Sequence, residues 1–162
     1  MGESASRFLD LLELLIRHEV EFIVIGGVAA VLEGSPLTTF DLDILFDPKP
    51  DNIQRLLQAL EEINAYYKDP AGRHIEPDAA RLRSMRMNLL KTDLGSLDVL
   101  RETCGFSYPD LVQRTNEHRV GELRVRALNL DALIEIKEKL DRPKDRFALI
   151  YLKRIHDLKR PS

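Results

Sequence analysis

In "DLDIL", Asp41 and Asp43 are one residue apart, and in "GSLDVL" Asp98 stands between Leu97 and Val99. Alternate side chains of an extended chain share a face, so Asp41 and Asp43 lie together while Leu42 and Ile44 point the other way. Carboxylates held this close repel, and one pKa rises unless a cation sits between them. Hard divalent ions such as Mg²⁺ or Mn²⁺ prefer all-oxygen surroundings of that kind. If Leu97 and Val99 face a core, Asp98 faces away from it, and where its strand adjoins "DLDIL" the three acids converge. Upstream, "EFIVI" runs into Gly26-Gly27, a backbone without Cβ atoms that can approach a phosphate closely, with a following helix aiming its amides at the same anion. The combination points to a nucleoside triphosphate held between a glycine turn and bound metal. The plainer alternative is an edge strand with a solvated polar face.

Elements that could position these residues are legible on both sides. Phe8, Leu11, Leu12, Leu15 and Ile16 recur at helical spacing. "EFIVI" is a buried strand, "VAAVLEG" a short helix stopped by Gly34, and "DLDILF" a second strand closed by "DPKP". Ile53, Leu56, Leu57, Leu60 and Ile63 mark a long amphipathic helix. Further on, "KDPAGRHIEPDAA" reads as turns, "MRMNLL" and "SLDVL" as strands joined by a "KTDLG" hairpin turn, and "SYPDLVQRT" as a short helix. "ELRVRAL" alternates like a strand, and a helical tail from about residue 129 to 162 is broken at Pro143. Strands thus alternate with helices in an α/β (α+β) chain, and no linker divides residues 1–162, so one domain is expected.

Composition excludes several classes. The chain is 44% hydrophobic and 31% charged, which is ordinary for a globular protein and far from disorder. Its 24 basic and 27 acidic side chains give a net charge of −3, so the overall balance does not announce a nucleic-acid surface. The longest uncharged run, Phe22 to Leu32, falls well short of the roughly 20 residues of a membrane span. "MGESASRFLD" has acids where a signal peptide has bases, and Cys104 is the only cysteine. A cytoplasmic location is the expectation, with Cys104 a small buried or half-buried residue rather than a reactive thiol. His18, His74, His118 and His156 have no metal-ligand spacing. Arg81, Arg83 and Arg86 form a solvated face, or meet a polyanion if Met85 and Met87 point inward.

A hydrophobic strand, Gly-Gly, 13 intervening residues, Asp-Leu-Asp-Ile and a later strand Asp resemble the signature of the DNA polymerase beta-like nucleotidyltransferase superfamily. "GFSYPDLVQRT" and "GELRVRALNLDALIEIKEKLDRPKDRF" extend the likeness to the small bacterial nucleotidyltransferases grouped with AbiEii-type abortive-infection toxins. The resemblance runs from about Glu21 to Ile155. It implies a mixed β-sheet flanked by helices, and transfer of a nucleoside monophosphate from a triphosphate such as ATP to a hydroxyl, with pyrophosphate released. It implies two Mg²⁺ or Mn²⁺ ions on Asp41 and Asp43, with Asp98 completing the ion that activates the acceptor, and Gly26 and Gly27 around the triphosphate. The acceptor of such enzymes is a small molecule, a tRNA end or a protein side chain, and a toxin of this kind has an antitoxin partner. A non-catalytic nucleotide-binding module that works by pairing with that antitoxin is the alternative. Leu37 stands where many relatives carry a basic residue, and Ala148 where many carry a further Asp.

Three more residues are drawn toward a nucleotide. Lys137 falls on the apolar stripe of Leu130, Leu133, Ile134 and Leu140, where a lysine must snorkel out or find an anion, a phosphate being one candidate. Lys144 and Asp145 follow Pro143 at a helix start, where the family motif suggests a phosphate contact for Lys144 and the helix dipole alone would accommodate Asp145. Thr39, just before the acids, either touches a phosphate or merely suits a strand.

Overall fold

The computed structural model describes residues 3–36 and 41–159. In chain order the elements are α1 (Glu3–Arg17), β1 (Phe22–Ile25), α2 (Gly26–Leu32), β2 (Leu42–Phe46), α3 (Pro50–Glu62), β3 (Tyr66–Tyr67), α4 (Ala79–Ser84), β4 (Met87–Thr92), β5 (Gly95–Leu100), α5 (Tyr108–Leu111), β6 (Thr115–Val120), β7 (Leu123–Leu128), α6 (Leu130–Leu140) and α7 (Pro143–Lys159). Thr39 and Leu37 lie outside the described residues. No described helix is long and apolar enough to cross a membrane.

The strands form one seven-stranded mixed sheet in the order β3-β4-β5-β2-β1-β7-β6. β1 runs antiparallel to β2 and parallel to β7, while β2 runs parallel to β5. All four residues of β1 are buried, as a strand covered on both faces must be, and this is why "FIVI" is a continuous apolar run. β4 instead alternates: Asn88 and Leu90 are buried while Met87 and Leu89 are exposed. Helix α3 starts on Pro50, whose fixed φ suits the first helical position, and buries Ile53, Leu56 and Leu60 as the periodicity predicts.

Several expectations shift. The strand read from "MRMNLL" begins two residues later, at Met87, and Met85 and Met87 are both exposed, so the condition under which Arg81, Arg83 and Arg86 would gather on a face behind them is not met. The turn-rich middle holds α4, whose start is fixed by the Asp78 side chain accepting a hydrogen bond from the Arg81 amide. β3 and β6 went unread. "TNEHRV" is too polar to announce a strand by itself, and its ladder with β7 supplies what propensity does not.

One buried side chain fixes the central register. Asn52, 1% exposed, donates from Nδ2 to the carbonyls of Glu21 (2.9 Å) and Asp47 (2.8 Å) and accepts at Oδ1 from the Glu21 amide (2.7 Å). It therefore ties the residue before β1 to the residue after β2, at the closed end of the β1–β2 pair. Because a one-residue slip would turn every side chain of β2 over, this clamp also decides which face Asp43 occupies. Asn52→Ala leaves the Glu21 amide and the Asp47 carbonyl without a partner, while the Glu21 carbonyl keeps the Asp47 amide at 3.1 Å, and it should cost about 2 kcal/mol of stability in urea denaturation. A loss below about 0.5 kcal/mol, within the range of ordinary surface changes, would show that water replaces the clamp.

Candidate active site

The parallel ladder between β2 and β5 sets Asp43 directly opposite Asp98, and the antiparallel ladder sets Ile25 opposite Asp43. Asp41 lies one residue before β2, on the same alternate face as Asp43. The structure thus brings Asp43 and Asp98 together and holds Asp41 near enough to act on both through its charge. Burial, then a hydrogen bond to Asp98, then the fields of Asp98 and Asp41 push the Asp43 pKa up from 3.8 to about 8. Burial also raises Asp98, although the hydrogen bond from Asp43 and the charges of Lys68 and Lys144 pull it back. Both carboxyls thus hold a proton more tightly than a free carboxyl does. Among the described residues, nothing hydrogen-bonds to the buried Oδ1 atoms of Asp43 and Asp98.

Orphaned, electron-rich oxygens on facing carboxylates are the chemistry a hard cation fits. Among the described residues no three His, Cys, Asp or Glu side chains stand ready-made around an ion. Seating an ion there would require Asp43 to be ionised.

Gly26 closes the site from β1. Its φ of +68° places it in the left-handed region, where the chain turns straight from β1 into α2. A Cβ at this position would overlap Asp43 Oδ2, far inside any contact a real Cβ makes. Gly27 follows in the first turn of α2. Backbone and carboxylate are in intimate contact here because position 26 has no side chain.

Cations ring the acids from the C-terminal helices. Lys137 on α6 and Arg142 in the α6–α7 turn act on Asp43, and Lys144 on α7 acts on Asp98. The anion that the apolar-stripe position of Lys137 demands is Asp145: Lys137 Nζ donates to Asp145 Oδ1 at 3.1 Å. Asp145 is fully buried and also accepts from Arg142, from Nε to Oδ2 at 2.6 Å, from Nη2 to Oδ1 at 3.2 Å and from the backbone amide to Oδ2 at 3.2 Å. These charge-assisted bonds hold its pKa down at about 2 despite burial. A place at a helix start thus accounts for only part of Asp145. Sequence reading passed over Arg142 and Lys68, and the signal for Arg142 was its three-residue spacing to a buried Asp. Cys104 is half-buried and free, as expected.

Two outcomes follow. Gly26→Ala forces both a left-handed alanine and a collision with Asp43, so it should lower stability by about 2 kcal/mol or more in thermal or urea melts. A neutral result would mean that the turn and Asp43 relax together. The second concerns pH. Asp43 binds its proton more tightly folded than unfolded, so between about pH 4 and the folded pKa of about 8 the folded chain holds more protons and stability falls as pH rises. With chelator present, the melting temperature of the wild type should decline over that interval. Asp43→Asn, which cannot ionise, should flatten the decline, matching the wild type near pH 4 and exceeding it at pH 8. Parallel curves for the two proteins would refute the raised Asp43 pKa.

No protein-family profile matches the sequence, and no curated protein matches it. Solved structures do resemble the chain. The lincosamide antibiotic adenylyltransferase LnuA, with lincomycin bound, superimposes with a TM-score of 0.63 at 19% identity, covering 93% of this chain and 96% of that one. ANT(2″)-Ia in complex with adenylyl-2″-tobramycin gives 0.60 at 12% identity over 97% and 95%. An antigenic nucleotidyltransferase-like protein from Paracoccidioides brasiliensis gives 0.58 at 14% over 99% and 79%. At such identities the likeness speaks for architecture, and the architecture of this chain is the nucleotidyltransferase fold.

Proposed function

We propose that this chain is a metal-dependent nucleotidyltransferase, moving a nucleoside monophosphate from a triphosphate such as ATP to an acceptor hydroxyl. The observation that carries the reading is the in-register Asp43–Asp98 pair, with its orphaned oxygens, packed against the backbone of Gly26. Support for the general chemistry comes from the adenylyltransferases of like fold. The likeness of "GFSYPDLVQRT" and of the tail through "RPKD" to AbiEii-type proteins supports the finer reading, a toxin of an abortive-infection or toxin-antitoxin system with a cognate antitoxin.

Asp41, Asp43 and Asp98 would hold two Mg²⁺ or Mn²⁺ ions. Such ions, when bound, make a hydroxyl more acidic and neutralise charge on the triphosphate and on leaving pyrophosphate. Gly26 and Gly27 give the triphosphate a backbone it can approach without steric conflict, and Lys137, Arg142 and Lys144 offset its charge. The acceptor oxygen bonds to the α-phosphorus while the bond from that phosphorus to the α–β bridging oxygen breaks. Pyrophosphate leaves with the bonding electrons, and the hydroxyl proton passes to the Asp98 carboxylate.

Divalent binding is the nearest test. Mn²⁺ titration should show affinity that rises with added triphosphate and falls by about 100-fold or more in Asp43→Asn, which removes a charged ligand. Asp98→Asn should keep triphosphate affinity within a few-fold while pyrophosphate release drops by about 100-fold or more, a loss in the reaction step rather than in ground-state binding. Wild-type protein that binds no divalent ion and releases no pyrophosphate with any triphosphate would sink the enzymatic reading.

A further inference from the structure

β4 presents an unusual surface beside the acids. Its outward residues Met87 and Leu89 are 51% and 38% exposed, and Met85, just before the strand, is 39% exposed. The β4–β5 ladder pairs Met87 with Leu100, Leu89 with Asp98 and Lys91 with Ser96, so this apolar strip stands on the same face as Asp98. The row continues outward, since the Lys68 amide donates to the Leu89 carbonyl at 2.9 Å directly after β3. Lys68, Leu89, Asp98 and Asp43 therefore lie in line across four neighbouring chain segments. The charge of Lys68 reaches Asp98.

Single exposed apolar residues are ordinary, but three within five residues, flush with a half-buried acid pair, form a surface suited to a ligand. The local charge is the reverse of the whole. Tyr66 to Thr92 carries six Lys or Arg against three Asp or Glu, in a chain with 24 against 27 overall. Asp69 and Asp78, two of those three acids, are already paired with Arg73 and Arg81. Those pairs cancel, and the cations that stand on the face of Leu89 are Lys68, opposite it, and Lys91, two residues along β4, so the side of the sheet beyond Asp98 favours an anion.

We propose that the open face of β4, with Lys68 at its outer edge, is the acceptor subsite, and that it takes a hydroxyl compound with an apolar body and an anionic group. The inference rests on the nucleotidyl-transfer reading, which puts the acceptor hydroxyl at Asp98. From there the body of the acceptor crosses Leu89 and Met87. Its anion meets Lys68 two strand spacings away, about 10 Å from the hydroxyl. A polycation such as the tobramycin of the structural neighbour meets lysine and apolar surface where it needs carboxylates. The transfer step is the one written above, with the acceptor oxygen now belonging to this compound.

An ω-hydroxy acid of matching length, 8-hydroxyoctanoate, serves as the probe, with 8-amino-1-octanol and tobramycin as cationic counterparts. Calorimetric titration of the full chain without nucleotide should show the acid binding and both cations binding much more weakly. Lys68→Gln should weaken the acid about tenfold and Leu89→Ser about fivefold. Both side chains are at the surface, and melting curves establish that the variants fold; Met87→Gln is the substitute should Leu89→Ser melt early. Equal affinity for the three probes, no binding of the acid, or an acid affinity unmoved by Lys68→Gln would overturn the proposal. Pyrophosphate release with ATP and Mg²⁺ is read separately. Binding that obeys these rules without release counts against the transfer reading, and release without such binding counts against the subsite alone.

Discussion

Two carboxylates opposite one another in a parallel ladder, both largely taken from water, form an arrangement that a chain selected only to fold would not retain. Each raises the cost of ionising the other, and burial raises it further. The remaining architecture makes the arrangement tolerable. A fully packed β1 and β2 hold the pair rigidly, Asn52 fixes the register, and a ring of Lys and Arg side chains lowers the electrostatic cost from outside. Local electrostatic strain of this sort persists where the surroundings over-determine it, and such places are functional more often than not.

The cations are themselves organised by an anion. Asp145 gathers Lys137 and Arg142 across the α6–α7 turn, so the two long side chains reach the acids from a fixed corner instead of sampling solvent. The C-terminal helices thereby take part in the electrostatics of a pair that lies on the sheet. α6 packs on both α2 and α7, which links that corner mechanically to the glycine turn as well.

Much of this was legible because it depends on short-range periodicity. The period of two in "DLDIL" and "GSLDVL" put the acids on one face, and the apolar stripe containing Lys137 announced a lysine that either snorkels out or finds an anion. What the sequence could not disclose was which strands become neighbours, since the placement of β5 beside β2 is a pairing between residues more than 50 positions apart. The identity of the anion for Lys137 was hidden for the same reason: Asp145 looked like a helix-start residue, and its burial is a tertiary fact. β6 escaped notice because its polar side chains satisfy an edge position, and the direction of Met85 and Met87 stayed open because it depends on what covers β4.

Gly26 and the acids differ in how they would fare in a lineage that no longer needed the chemistry. The left-handed turn keeps its demand for glycine whatever the neighbouring side chains become, so drift would leave Gly26 in place as a relic of the fold. Asp43 enjoys no such protection, because uncharged substitutes relieve both burial and repulsion and would spread without any opposing pressure. A glycine turn with the acids gone is therefore the expected fossil of a retired relative. Among descendants of a common ancestor, it is the persistence of the carboxylates, and not of the glycines, that tells a working member from a silent one.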